Sequence, residues 1–472
     1  MDFIGRTYEL EDLENQYRSN QFEMSVIYGR RRIGKTTLIN KFITGKENAG
    51  YAIGIESSLS LNLEILSKAI YQATGFPAQL PSFKTLPEAF TFLFEASTNK
   101  RIIFVIDEYP YLANAEPSVS SVLQATIDHY RSHSKLMLIL CGSSLSFMEN
   151  QVLGYKSPLY GRRTAQYKIK PFTYWECRQY LSSFSNEDAS MFFAITGGVA
   201  EYLSFVDPDL SLRSNIINLY LTPSGRLFEE PRNLLQQEMR EPKIYNDILS
   251  AIAHGSTRNH EIASKIGQTS GALSHYLKAL MELGIIEKRT PIGEKTERKS
   301  IYVIVDGMYR FWYKFVRPNL QAIELRQGDI VFDERIAENL SEFMGFEFEQ
   351  MAIQYLESCI QRNEVPFYIL EYGNWWGNNP YEKRQEEIDI VALGNNAILF
   401  GECKWRNQKL DTKVFDALRS KARLFPQENK QYMLFSKSGF TEDLLKESAD
   451  QQNVQLIDLE KMYWIKETAS SS

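Results

Sequence analysis

The chain of 472 residues carries 53 Lys and Arg against 59 Asp and Glu, a formal net charge of -6. Its length allows about three domains, and 43% hydrophobic with 24% charged residues is ordinary for a globular protein with sizeable cores. The acidic balance excludes a uniformly basic nucleic-acid-binding coat, so any contact with nucleic acid has to be local.

Cys141, Cys177, Cys359 and Cys403 form no CxxC pair, which argues against zinc ribbons and redox pairs. Cys141 and Cys403 sit in strand-like apolar runs and read as core packing. The start Met1-Asp2-Phe3-Ile4-Gly5-Arg6 lacks the basic-then-apolar pattern of a signal peptide. No apolar run is long enough to span a bilayer. A cytoplasmic location with no membrane partner is expected.

Residues 1–205 alternate strand-like and helix-like segments. Strands are expected near 24–28, 50–55, 102–106, 136–141 and 167–170, and helices near 35–44, 61–74, 86–98, 118–133 and 174–183. Such alternation predicts an α/β domain, a parallel sheet with helices on both faces. Between the first strand and the helix near 35–44, residues 29–36 read Gly-Arg-Arg-Arg-Ile-Gly-Lys-Thr, a full match to the phosphate-binding pattern GxxxxGK[ST]. Gly29 and Gly34 let backbone N–H groups turn inward around a phosphate chain. Lys35 reaches its β- and γ-phosphates and the Thr36 hydroxyl holds Mg²⁺. The helix that follows points its positive end at the anion. The candidate nucleotide contacts are Gly29, Arg30, Arg31, Arg32, Ile33, Gly34, Lys35, Thr36 and Thr37, with the three arginines either on the phosphates or in solvent. The expected ligands are ATP and Mg²⁺.

The apolar run from Ile102 to Ile106 ends in Asp107-Glu108. Asp107 is a candidate Mg²⁺ ligand, directly or through water, and Glu108 a candidate to orient and deprotonate the attacking water. The run Leu136 to Cys141 ends in Gly142-Ser143-Ser144. Ser143 is a candidate sensor of the γ-phosphate, because neighbouring parallel strands deliver their C-terminal ends to one crevice; the alternative is simple turn chemistry. In Leu159-Tyr160-Gly161-Arg162-Arg163, two guanidiniums beside a Gly turn either meet the charge of a transferring phosphoryl group or form a solvated basic loop. The first reading puts Arg162 or Arg163 on a moving lid or in the neighbouring subunit of a homo-oligomer.

Phe3-Ile4-Gly5-Arg6 with Glu9-Leu10, the loop GRRRIGKTT, the strand FVIDEYPYL, the GSS turn, LYGRRT followed by Pro171-Phe172, and Thr196-Gly197-Gly198-Val199 occur in that order. Together they resemble the archaeal-type ATPases, a branch of the STAND P-loop NTPases related to AAA+ proteins. The resemblance covers residues 1–205 and implies ATP hydrolysis. It also places Gly5 and Arg6 near the adenine. The family often has Pro after the Gly-Gly-Val segment, where this chain has Ala200.

Residues 206–242 read as a helical lid or linker, with Pro231 and Pro242 bracketing the linker. Residues 243–333 hold a winged helix-turn-helix and a connector. Ile244, Ile248, Leu249 and Ile252 share one helix face, Ile262 and Ile266 a second, and Leu273, Leu277 and Leu280 a third. Two short strands then flank a basic loop with Lys295, Arg298 and Lys299. Ser270, Ser274, His275 and Lys278 are left for a DNA major groove, unless the domain serves as a lid or spacer.

Residues 334–466 begin with a long helix. Glu386 to Leu393 alternates as a half-buried strand, Gly394-Asn395-Asn396 supplies a turn, and Ala397 to Lys404 returns, ending Gly401-Glu402-Cys403-Lys404. Glu402 and Lys404 project from one face, and the turn brings Asp389 opposite 401–402. Asp389 and Glu402 are candidate ligands of one Mg²⁺, with Lys404 acting on water or phosphate. Glu349 is the first candidate for a further acid and Glu347 the second. This D…ExK spacing resembles restriction-endonuclease-like folds. With Tyr309 to Asn319, Trp375-Trp376-Gly377 and the two strands, the segment resembles the C-terminal domain fused to one subgroup of archaeal-type ATPases. The tail 467–472 is polar and reads as disordered. The expected protein is an ATP-dependent switch or motor coupled to a nuclease-like domain acting on DNA, by analogy in DNA processing or mobile-element defence. The alternative is a regulatory ATPase whose winged-helix and nuclease-like domains bind DNA or protein without cleavage.

Overall fold

The computed structural model describes residues 3–464; the tail expected to be disordered lies outside the described residues. The chain divides into two compact units: residues 3–171 with Val199–Glu201, and Phe172–Gly198 with residues 202–464.

The first unit is built on five parallel strands, β1 (Glu23–Tyr28), β2 (Ala49–Ile53), β3 (Ile102–Asp107), β4 (Leu136–Gly142) and β5 (Ala165–Lys168), in the order β2-β3-β4-β1-β5. Alternate residues leave by opposite faces. Val26, Phe104, Ile106, Leu138 and Leu140 pack with Leu66, Phe90 and Leu123 of one helical layer. Ile27, Ile103, Val105 and Ile139 pack with Leu38, Ile39 and Phe42 of the helix Lys35–Ile43. A parallel sheet covered on both faces explains why these strands are near-continuous apolar runs. The strand order sets β4 between β1 and β3, so the loops leaving all three meet at one edge of the sheet.

The second unit opens with helices that the expected linker does not interrupt. Pro231 stands in the first turn of the helix Glu230–Glu238, where its missing N–H leaves nothing unsatisfied. Leu234 and Leu235 of that helix are buried, and Pro242 starts the next helix. The segment between the prolines is therefore packed helix. The helices Pro242–Ala253, Asn259–Ile266 and Ser270–Glu282 and the antiparallel pair β6 (Ile286–Arg289) and β7 (Ile301–Ile304) form the winged helix. Ile244 and Ile266, expected inward, are half-buried; Tyr245 and Ala263 take the buried positions.

Five further strands, β8 (Glu371–Asn379), β9 (Arg384–Leu393), β10 (Ala397–Lys404), β11 (Asn429–Ser436) and β12 (Val454–Asp458), form a mixed sheet in the order β12-β11-β10-β9-β8. β8, β9 and β10 are antiparallel, and β10, β11 and β12 parallel. The long helix spans Leu340–Gln361, later than the sequence pattern suggested, because residues 312–339 break into short helical turns. The wing is docked. Ile292 is buried in the core of this sheet with Ile388, Val391 and Phe400, and its N–H donates to the Asn374 carbonyl at 3.1 Å. Truncating such an isoleucine costs roughly 2–5 kcal/mol, so the wing belongs to the C-terminal core. Among the described residues no helix is long and apolar enough to cross a membrane.

Candidate active site

The phosphate loop leaves β1 with Gly29 at φ +155°, where a Cβ would stand 2.5 Å from the Ile169 carbonyl oxygen and 2.6 Å from Ile33 Cδ1. Only glycine fits that approach. Gly34, at φ +92°, turns the chain into the helix Lys35–Ile43. Ile33 is buried and anchors the loop, while Thr36 and Thr37 are exposed at the head of the helix. Lys35 is 6% exposed and donates to the Gly29 and Arg30 carbonyls at 2.8 and 2.9 Å. Burial lowers the pKa of its ammonium, although Glu108 and Asp107 counter that. A partly desolvated cation of this kind gains strongly from an incoming phosphate.

Thr36 Oγ1 donates to Asp107 Oδ2 at 3.0 Å, and the Tyr51 hydroxyl donates to the same oxygen. Thr36 and Asp107 thus bring two hard oxygen donors together, a donor set that fits Mg²⁺. Glu108 is held at φ 48° ahead of the helix Tyr109–Ala115. Its Oε2 accepts the N–H and the hydroxyl of Ser143, at 3.3 and 2.9 Å. A non-glycine residue in this backbone region is strained and persists where its surroundings fix it; the two Ser143 bonds do so.

The flanking arginines are engaged. Arg31 donates to the Tyr111 hydroxyl at 3.0 Å, and Arg32 stands 4.0 Å from Glu201. Arg6, next to Gly5, is buried; it donates to the carbonyls of Ile33, at 3.3 Å, and Lys170, and pairs with Glu9 at 3.6 Å. It therefore braces the base of the phosphate loop. Arg162 makes a two-point ion pair with Asp128 at 2.8 and 2.6 Å. Arg163 donates to the Leu153 carbonyl at 3.3 Å and lies over the Tyr160 ring.

In the second unit the β9–β10 register pairs Gly401 with Ile390 and carries Asp389 alongside Glu402. Asp389 Oδ2 accepts the Cys403 N–H at 2.7 Å. Glu402 is 6% exposed, with one oxygen on Lys404 at 2.6 Å and the other on Lys421 at 3.3 Å. Asn374 donates to the Asp389 carbonyl at 2.8 Å and to Glu349 at 3.4 Å. Arg289 of β6 in turn donates to Asn374 at 3.2 Å and to Gln350 at 2.7 Å. Glu349 is therefore the acid beside Asp389. Glu347 is turned to Arg310 at 3.3 Å.

Burial, reinforced by Asp389, pushes the Glu349 carboxyl up to about 8. Burial and then Glu402 push Asp389 up to about 6. Burial alone would lower the Lys404 ammonium, but Glu402 and Asp389 outweigh it and hold the group above its usual range. Asp389 and Glu402 supply two oxygen donors of the hard kind a divalent cation takes. Among the described residues, no three His, Cys, Asp or Glu side chains converge closely enough to hold a metal, and both oxygens of Glu402 face lysines.

Sequence reasoning missed Tyr51, Lys421, Asn374 and Arg289. Lys421 had one local signal: it follows Leu418 by three on the apolar side of the helix Thr412–Ala422. On the winged helix, Ser270, Ser274, His275 and Lys278 are exposed as expected, as are Lys295, Arg298 and Lys299 of the wing.

A phosphate loop entering a helix, with an acid pair and a serine on the ends of adjacent parallel strands, defines a P-loop ATPase. A family model described as an ATPase domain predominantly from Archaea matches residues 3–206. One described as the arsR family of bacterial regulatory proteins matches 246–288, and one described as archaeal and bacterial proteins of unknown function matches 312–415. An uncharacterized protein of Methanocaldococcus jannaschii is 35% identical over 410 residues, 86% of this chain and 88% of the relative. The chain belongs to this family of archaeal ATPases, with an ATPase domain joined to a helix-turn-helix and a C-terminal mixed-sheet domain. An uncharacterized ATP-binding protein of the same organism is 47% identical over 45 residues, 10% of this chain and 76% of the relative. The solved Walker-type ATPase of Pyrococcus abyssi, 20% identical, covers 66% of this chain and 96% of its own at TM-score 0.50, a likeness of fold.

Proposed function

We infer that the chain is a cytosolic ATP-dependent switch whose nucleotide cycle controls a Mg²⁺-dependent nuclease-like site acting on DNA. In the first unit, Lys35 and the loop amides bind the β- and γ-phosphates, with Arg30 and Arg31 at their flank. Thr36 and Asp107 would hold Mg²⁺, which when bound supplies neutralising charge to the phosphate oxygens. Glu108 takes the proton of the attacking water, and Ser143 sets the Glu108 carboxylate. Arg162 or Arg163 meets the transferring phosphoryl group. In the second unit, Asp389 and Glu402 would hold the divalent cation, which supplies charge neutralisation at a phosphodiester. Lys404 orients or activates the water, Glu349 is the further acid, and the exposed face of the helix Ser270–Glu282 meets duplex DNA.

The observation that carries the nuclease reading is the Asp389–Cys403 hydrogen bond at 2.7 Å, which sets Asp389 beside Glu402 while Lys404 lies 2.6 Å from the same acid. The test is incubation of plasmid and linear DNA with the purified protein and Mg²⁺ or Mn²⁺, with and without ATP. Metal-dependent cleavage that changes with ATP and disappears in Glu402→Ala supports the reading. A second reading rests on Lys404 and Lys421 both pairing with Glu402. If they keep a metal out, the domain binds DNA or protein without cutting, and intact DNA in every lane favours that regulatory ATPase.

A further inference from the structure

A cavity of about 830 Å³ lies between the first turn of the helix Asn259–Ile266 and the β8–β9 hairpin, with Lys421 in its wall. Because Lys421 also donates to Glu402 at 3.3 Å, the cavity lies next to the nuclease-like site. Strand alternation describes its floor. Gln385 and Glu387 are two apart on β9 and share a face; Asp389 lies beyond them, where β9 carries one extra residue between the Trp375–Ile388 and Gly373–Val391 pairs. Trp376 of β8 pairs across from Glu387 and belongs to the same face. The Trp376 indole N–H donates to the Lys299 carbonyl at 3.3 Å, which anchors one edge of a half-buried aromatic in the cavity wall.

The ionic lining is Arg258, Arg384 and Lys421 against Glu261, Glu386 and Glu387. The count is balanced: Arg384 pairs with Glu386, Lys421 is shared with Glu402, and Glu261 keeps its charge while bonded to backbone N–H groups. Glu261 accepts the N–H groups of Thr257 and Arg258 at 3.0 Å each, and Glu386 is buried on Arg384 at 2.7 Å. Arg258 is exposed.

We propose that this cavity binds one single strand of nucleic acid and leads it to the candidate nuclease-like site, a base stacking on Trp376 and phosphates meeting Arg258 and Lys421. The destination rests on the nuclease reading; the ligand class rests on the lining alone. Cations beside an aromatic platform are the chemistry of single-strand binding. A cleft in the size range of small-ligand pockets takes a few nucleotides of one strand and excludes a duplex. The winged helix thereby forms one wall of a strand channel, in addition to its exposed face.

The test is fluorescence anisotropy of the full chain in EDTA with short labelled oligo-dT and oligo-rU and with a DNA duplex of matching length. Trp376→Ala and Arg258→Glu should each weaken single-strand binding by roughly tenfold or more, with duplex affinity changed less than about twofold. Trp376→Phe should keep most of the affinity. Arg258 is exposed, so its variant reads the cavity even if Trp376→Ala fails to fold. Preference for either dT or rU supports the proposal and identifies the strand. No single-strand binding, unchanged affinity in Arg258→Glu, or an equal loss for the duplex overturns it. Cleavage measured in parallel separates the two readings. Strand binding lost in Arg258→Glu with no cleavage by the parent keeps the channel and removes the nuclease. Cleavage of single strands unchanged in Arg258→Glu removes the channel and keeps the nuclease.

Discussion

Ser143 donates to the Glu108 carboxylate twice, from its backbone N–H at 3.3 Å and from its hydroxyl at 2.9 Å, tying the end of β4 to the end of β3. The bond fixes the carboxylate proposed to act on water, so its loss falls on the chemical step. Ser143→Ala should lower kcat by about tenfold, the scale of one hydrogen bond to a charged group, with ATP affinity nearly unchanged. Glu108→Gln should keep ATP bound and lower kcat by roughly 100-fold or more. Lys35→Ala should lose tight binding itself, since the phosphates lose their cation. Equilibrium nucleotide titration beside phosphate-release rates separates the three. Parent-like hydrolysis by Glu108→Gln would show that another group is the base.

Arg162 holds an exposed partner, Asp128. Exposed ion pairs of this kind contribute roughly 0–1 kcal/mol, so the guanidinium can be given up cheaply to a neighbouring molecule's nucleotide. Mixing Lys35→Ala protein with the double variant Arg162→Ala/Arg163→Ala should then partly restore hydrolysis that neither has alone. The measurement is phosphate release against mixing ratio. A flat baseline at every ratio counts against action between subunits and leaves action within one chain.

What the sequence revealed, and what it hid, divides by range. Gly29 to Thr36 is contiguous, and the buried strand before Asp107 marks its own end, so loop and acids were readable without tertiary information. The β9–β10 hairpin was readable because a short turn fixes register, which set Asp389 beside Glu402. The contacts of Arg289 with Asn374 and of Lys421 with Glu402 join different elements, the first across 85 residues of sequence. The docking of the wing was hidden for the same reason. Ile292 looks like a hydrophobic residue in a basic loop until the β8 edge it covers is known. The prolines misled because Pro is a breaker inside a helix but a favoured starter at its first turn.

The buried acids give stability a definite pH dependence. The Glu349 carboxyl is raised to about 8 by burial and then by Asp389, so the folded chain holds a proton that the unfolded chain releases near the ordinary carboxylate value of about 4.3. An acid raised on folding contributes stability that is complete below the unfolded value and is lost as pH rises through the folded value. The melting temperature of the second unit should therefore fall between about pH 5 and pH 8 in metal-free buffer. Glu349→Gln, which cannot ionise, should flatten part of that fall. Differential scanning calorimetry across this range is the check, and identical slopes for parent and variant would mean that Glu349 does not hold the proton.

Lys404 and Lys421 both pair with Glu402. If Asp389 and Glu402 hold a divalent cation, each loses an oxygen donor on substitution, so Asp389→Ala and Glu402→Ala should each weaken Mn²⁺ binding by tenfold or more, about 1.4 kcal/mol. Lys404→Ala should retain the metal, because an ammonium carries no lone pair, yet should abolish cleavage through loss of the group beside the phosphate. Lys421→Ala differs from both. It removes a cation lying 3.3 Å from Glu402 that competes with metal for the same oxygen, so Mn²⁺ affinity should rise. The losses in cleavage should not add, because any one already disables a site that acts as a unit. Isothermal titration with Mn²⁺, with ATP binding measured as a control on the first unit, tests the set. Parent-like Mn²⁺ binding by both Asp389→Ala and Glu402→Ala would make the hairpin a structural ion-pair cluster, and the regulatory reading would then replace the nuclease one.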